Sequence, residues 1–284
     1  MDMKKLLAAA VCAALLTACG SSQPARSSSD EAQAEPTASA QPSRKGLSLA
    51  LCTQENRPAR EAYAQALEKL MNDYTLPDGT DCSADFDPEY GGPLGTMEEN
   101  LFAVADVDGD GEEELVLRYL TTSTAGQRGL VSSWDPSGGL KTTEFANPAL
   151  AFYENGAVRE DWSHNQGKGG RQWPFFLYRY LPESDSYEEV GALDAWDSDI
   201  PADGFPREID TSGAGIVYYI YPAELDSSQW DAVEPVDQSV YLTWLNETLH
   251  GSQELELTYL PLTEENVRSL TAAGEHLNTT LEER

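Results

Sequence analysis

Apolar residues recur with two different periods along this chain. Over residues 58–74 they fall three and four apart. Ala62, Tyr63, Ala66, Leu67, Leu70 and Met71 then line one side of a helix, with Pro58 suited to its first turn. Leu76-Pro77-Asp78-Gly79 ends that helix. From Leu101 the period becomes two, which predicts strands over 101–106, 114–120 and 129–134, the last followed by the turn Asp135-Pro136-Ser137-Gly138-Gly139. Residues 149–153 and 157–161 form a predicted hairpin across Glu154-Asn155-Gly156. Residues 175–181 and 187–193 pair across Pro182-Glu183-Ser184-Asp185, and 215–221 is a further strand. Helix returns over 236–249, with Val240, Trp244, Leu245 and Leu249 on one face and Gly251 as its stop. Residues 255–260 are strand-like, and Thr263 caps a last helix running to about Leu270. A helix, then hairpins, then helices predict an α+β fold, mainly antiparallel hairpins in a meander, rather than the alternation that makes a parallel sheet.

The start of the chain has a different pattern. Lys4 and Lys5 precede an apolar run from Leu6 to Leu16. That run is shorter than the about 20 residues a membrane-spanning helix needs, and it suits the core of a signal peptide over residues 1–18. Leu16-Thr17-Ala18-Cys19 resembles the lipobox of bacterial lipoproteins. The resemblance implies a diacylglycerol on the Cys19 thiol, cleavage before Cys19, and acylation of the new amino group by a chain such as palmitate. It places the protein on the extracytoplasmic face of the cell membrane. An ordinary secretory signal with a chance cysteine is the alternative. Residues 19–46 are rich in Ser, Ala, Gln and Pro. They carry too little apolar surface to offset the entropy of ordering, so a flexible tether is expected. Residues 47–284 remain for a single extracytoplasmic domain.

The chain carries 18 Lys+Arg against 49 Asp+Glu, a formal net charge of -31. Such a surface repels nucleic acid and favours cations or basic partners. Of the four cysteines, Cys12 leaves with the signal and Cys19 is lipidated on this reading. That leaves Cys52 and Cys82, an even pair outside the cytoplasm, where a disulfide is favoured. It would close a loop of about 30 residues and add roughly 3–4 kcal/mol. Two free buried thiols or a metal pair are the other readings.

The densest chemistry is Phe-Ala-Val-Ala-Asp-Val-Asp-Gly-Asp-Gly-Glu-Glu-Glu-Leu-Val-Leu, residues 102–117. Asp106, Asp108 and Asp110 occupy positions 1, 3 and 5 of a D-x-D-x-D-G frame. Gly111 permits the bend that turns the Glu112 carbonyl inward, and Glu114 is ninth. Calcium takes six to eight hard oxygens, roughly 2.3–2.6 Å away, and this spacing converges them. An EF-hand would need helices on both sides and a twelfth-position Glu, where this chain has strands and Leu117. The loop instead resembles the D-x-D-G-D-G-x-x-E-L turn of FG-GAP/VCBS-type β-hairpins, which occurs once in many lipoproteins of gut Firmicutes. Asp161-Trp162-Ser163-His164-Asn165-Gln166-Gly167 and Leu177-Tyr178-Arg179-Tyr180 look like further segments of that group, which carries no assigned activity. The resemblance implies Asp106, Asp108, Asp110, Glu112 (carbonyl) and Glu114 as ligands of a structural calcium. An acidic turn without an ion is the alternative, at the cost of mutual repulsion among its carboxylates.

Catalytic motifs are missing: there is no G-x-S-x-G elbow, P-loop, dinucleotide fingerprint or H-E-x-x-H. His164, His250 and His276 do not have zinc-site spacing. The glycine-rich stretch after Trp162 mixes His164 with hydroxyl and amide groups. It is either a lid over a site or an exposed hairpin loop. Six tryptophans offer stacking platforms for sugars. Trp134 and Trp244 fit the core, whereas Trp162 and Trp173 are candidates for exposure, so Trp162, His164 and Trp173 form a possible ligand loop. Two functions compete. The favoured one is a binding or structural role at the cell envelope, with a glycan or protein ligand. The other is an envelope glycan hydrolase using Glu160, Asp161 or His164. No pair of carboxylates can be placed across a scissile bond from sequence, so no catalytic residue is assigned.

Overall fold

The structure, a computed structural model, describes residues 52–87, 89, 94–163 and 168–272. Cys19, the expected signal and tether, His164 and His276 lie outside the described residues. In chain order the elements are α1 (Arg57–Asp73), β1 (Leu101–Ala105), β2 (Glu114–Tyr119), β3 (Arg128–Asp135), β4 (Gly139–Phe145), β5 (Ala149–Phe152), β6 (Val158–Asp161), β7 (Phe175–Leu181), β8 (Ser186–Asp197), β9 (Ile216–Pro222), α2 (Gln238–Leu249), β10 (Leu260–Pro261) and α3 (Glu264–Ser269). The strands form two antiparallel five-stranded sheets, β10-β1-β2-β3-β4 and β5-β6-β7-β8-β9. The expected α+β class is therefore what the chain adopts.

Strand alternation decides the layering. In β1, Phe102 and Val104 point to one side of the first sheet and Ala103 and Ala105 to the other, and all four are buried. A strand buried on both faces needs two covers. On one side Tyr63, Leu67 and Leu70 of α1, with Val267 of α3, pack against Phe102, Leu115, Leu117 and Leu130. On the other, Ala103, Val116, Val131 and Phe145 meet Phe152 and Val158 of the second sheet. The far side of that sheet carries Phe175, Leu177, Leu193 and Tyr218 against Tyr241 and Leu249 of α2. The order is helices, sheet, sheet, helix.

Several details differ from the sequence expectation. β4 was not expected. It pairs with β3 from Gly129↔Phe145 to Asp135↔Gly139, but its middle is Lys141-Thr142-Thr143-Glu144, the polar composition of an edge strand. Val240 is 49% exposed. Its place on the buried face of α2 is taken by Tyr241, stacked on Tyr218 at 4.3 Å. Residues 255–260 do not form one strand. Leu255 donates its N–H to Phe152 O, and Leu260 pairs with Phe102, so the segment runs from the second sheet to the first.

The expected disulfide is not formed: Cys52 and Cys82 are free thiols. Cys52 precedes the start of α1, whereas the Cys82 N–H bonds Tyr74 O just past its end. Seventeen helical residues rise about 1.5 Å each and hold the ends roughly 25 Å apart, far beyond the about 7 Å limit between bridged Cα atoms. The Cys82 thiol instead donates to Tyr74 O at 3.0 Å and packs into the core beneath α1.

Candidate metal centre

The acidic loop joins β1 to β2, and Glu114 opens β2 opposite Ala105. Gly109 and Gly111 have φ of 83° and 94°, values open to glycine and costly for other residues. The backbone wraps around its own carboxylates. Gly109 N–H donates to Asp106 Oδ1 (2.8 Å), Gly111 N–H to Asp106 Oδ2 (3.1 Å), Asp110 N–H to Asp108 Oδ1 (3.1 Å) and Val107 N–H to Glu114 Oε2 (2.9 Å).

Carboxylate oxygens of Asp106, Asp108 and Glu114 lie within 4.8 Å of one another, close enough to share a cation. The Asp110 carboxylate is not part of this group. Asp110 is exposed and its Oδ1 accepts the Glu112 N–H; the ligand expected from Glu112 is its backbone carbonyl, not its exposed side chain. The three that converge are withdrawn from solvent: Asp108 is 5% and Glu114 2% exposed, and Asp106 is half-buried. Burial first, then the neighbouring Asp108 charge, pushes the Glu114 carboxyl up to about 9. Burial, then Asp110, pushes Asp108 up to about 6. Concentrated negative charge of this kind calls for either protons or a cation.

Two partners that hold the loop have no motif in the sequence. Glu113 ion-pairs with Arg60 of α1, which is fully buried. Tyr63 on the same helix face donates its hydroxyl to Glu113 O. The available signal was Arg60 itself, a charge on the apolar stripe of α1. The second sheet closes the loop from the other side. At Gly156, in the β5–β6 turn, a Cβ would collide with the Asp108 carbonyl and stand 3.0 Å from Tyr180 Cβ. The loop is thus wedged where the two sheets meet.

The expected ligand loop divides into unlike parts. Trp173 is 43% exposed, and its Nε1 donates to Trp162 O at 2.6 Å. Trp162 is half-buried between Phe176 (5.6 Å) and Trp230 (6.2 Å), and Trp230 stacks in turn on Tyr221 (4.4 Å). Glu160 is fully buried. Its Oε1 accepts the N–H and Nδ2–H of Asn147 and its Oε2 accepts the Tyr178 hydroxyl, each at 2.7 Å. Asp161 is paired with Arg159 at 2.9 Å. Neither carboxylate is displayed for acid–base work. Trp134 and Trp244 lie against the cores, as their spacing suggested, and His250 caps the end of α2 in a left-handed conformation.

Fold and site together define a two-sheet α+β protein with a carboxylate cluster, suited to a cation, at the junction of its sheets. No protein-family model, curated protein or solved structure matches the chain. The likeness of the loop to FG-GAP/VCBS-type hairpins therefore rests on residues 106–114 themselves.

Proposed function

We infer that this chain is a lipid-anchored extracytoplasmic protein with a structural calcium ion in its acidic loop, serving a binding or structural role at the cell envelope. The observation that carries the calcium is the convergence of Asp106, Asp108 and Glu114 in a site buried on two of its three members. The donors are all hard oxygens, with no nitrogen or sulfur, which suits calcium over zinc or copper. Asp106, Asp108 and Glu114 would hold the ion, which would neutralise their charge and brace the loop against α1 and the second sheet. The anchor rests on Leu16-Thr17-Ala18-Cys19. Among the described residues no helix is long and apolar enough to cross a membrane. Trp173, exposed beside the half-buried aromatic stack, is the surface offered to a glycan or protein partner.

Calcium titration of the full chain tests the ion. A binding heat and a raised melting temperature are expected at or below millimolar calcium, the range of extracellular modules at about 10⁻⁴–10⁻³ M. No heat and no thermal shift at 5–10 mM, well above about 10⁻³ M, would overturn it. Cys19→Ser tests the anchor: the variant should leave the membrane fraction.

A further inference from the structure

The carboxylate cluster opens onto a narrow polar cleft between the two sheets. The first sheet contributes Asp108, Glu114, Ser133 and Thr143, and the β7–β8 end of the second contributes Asp185 and Tyr187. Most of the polar groups here have partners. Ser133 Oγ donates to Asp185 Oδ2 at 2.8 Å and Tyr180 donates its hydroxyl to Asp185 Oδ1 at 3.2 Å. Lys141 sits beside the same carboxylate, 3.4 Å from Oδ2, and also bonds Ser184 O and Asp185 O. The exception is Tyr187. Its hydroxyl oxygen is buried and has no hydrogen-bond partner. Its ring is held by an edge contact with Phe145 at 5.6 Å and a tilted contact with Tyr180 at 5.4 Å.

A buried hydroxyl without a partner costs about 1–3 kcal/mol. Here it faces a polar cleft with room for about one water, and that cleft is bounded by two of the three clustered carboxylates. We propose that Tyr187 is an outer-shell residue of the cation site: a water bound to the ion at Asp106, Asp108 and Glu114 donates to the Tyr187 hydroxyl, and this link ties the second sheet to the first. The proposal rests on the calcium reading above and goes beyond it. The ion is then a clamp between sheets rather than a staple within one hairpin. Its hold on the second sheet runs through a residue far outside the loop. Outer-shell partners of this kind typically govern metal affinity by about 10–100-fold.

The test compares the full chain with Tyr187→Phe, using calcium alone as the probe. The ring packing is kept and only the hydroxyl is lost. The variant should bind calcium about tenfold more weakly, while its metal-free melting temperature stays the same or rises. Hydrogen exchange supplies a second readout. Calcium should slow exchange at residues 106–114 and at 184–187 in the native chain, but only at 106–114 in the variant. Equal calcium affinity in both proteins overturns the clamp and leaves the calcium site standing. So does weaker binding accompanied by a matching fall in metal-free stability. If the native chain binds no calcium, the site and the clamp fall together.

Discussion

Arg60 and Glu113 form a two-point ion pair, Nε to Oε2 at 2.8 Å and Nη2 to Oε1 at 2.6 Å, with the arginine fully withdrawn from solvent. The pair joins the buried face of α1 to the residue immediately before Glu114. Desolvating a guanidinium is costly, and it is tolerated because both ends of the fork are matched. The acidic loop is therefore held from behind by a helix residue 53 positions before Glu113 in the sequence.

Removing one partner of a buried pair leaves the other uncompensated. Arg60→Ala should cost about 3–5 kcal/mol of unfolding free energy, measured by urea denaturation. Calcium affinity should also fall, because Glu113 and with it Glu114 lose their anchor. A loss below about 1 kcal/mol, the level of a surface pair, would show that the pair does not hold the loop.

The two thiols carry a second prediction. With Cys82 bonded to Tyr74 O and Cys52 at the other end of α1, both should react with a thiol reagent in denaturant without prior reduction. Reductant should leave the melting temperature unchanged. A mass gain of two on reduction would contradict the unbridged arrangement.

What the sequence revealed and what it hid follow from the range of the interactions. Alternation and helical spacing are local, so α1, the hairpins and the α+β class were legible. β4 was not, since a polar edge strand lacks an apolar rhythm. Val240 and Tyr241 both fit a helical period, and only the stacking on Tyr218 of the sheet distinguishes them. The D-x-D-G spacing pointed to Asp106, Asp108 and Glu114 because that convergence is made within nine residues. It pointed equally to Asp110, whose exposed side chain accepts a bond from its own loop backbone. Arg60, Asp185 and Tyr187 reach the loop only through tertiary packing, and a tyrosine in a strand is indistinguishable by pattern from core. Pairing Cys52 with Cys82 followed from parity, which takes no account of the helix between them.

Calcium binding should release protons. In the metal-free protein burial holds Glu114 near 9 and Asp108 near 6, so at pH 7 Glu114 keeps its proton. An acid whose pKa is raised by folding weakens the fold at any pH above its ordinary value, 4.5 for Glu114, with the penalty growing until pH passes the folded value. Calcium replaces the proton. Its affinity and the thermal shift it causes should both rise with pH from 6 to 9. Titration calorimetry at pH 7 in buffers of different ionisation enthalpy should find about one proton released per ion. Identical heats in all buffers would contradict the displaced proton.

Asp197 makes the opposite kind of pH prediction. Its carboxylate accepts Arg171 Nε at 2.8 Å and Nη2 at 3.0 Å, and the backbone N–H groups of Arg171 and Asp199 at 3.0 Å each. Those bonds, the Arg171 side chain's first among them, hold it far below the usual carboxylate range. Gly170 lies against it with φ 53°, where a Cβ would stand 2.6 Å from Asp197 Cβ. Asp197 thereby pins the end of the glycine-rich segment that leads to Trp173. A carboxyl with a depressed folded pKa contributes stability above its unfolded value of about 3.9, and loses it as pH falls toward the folded one. Asp197→Asn should therefore cost about 1–3 kcal/mol at pH 7. The gap in melting temperature between native and variant protein should narrow steadily from pH 4 to pH 2. A gap as wide at pH 2 as at pH 7 would mean that packing rather than the charge holds this turn.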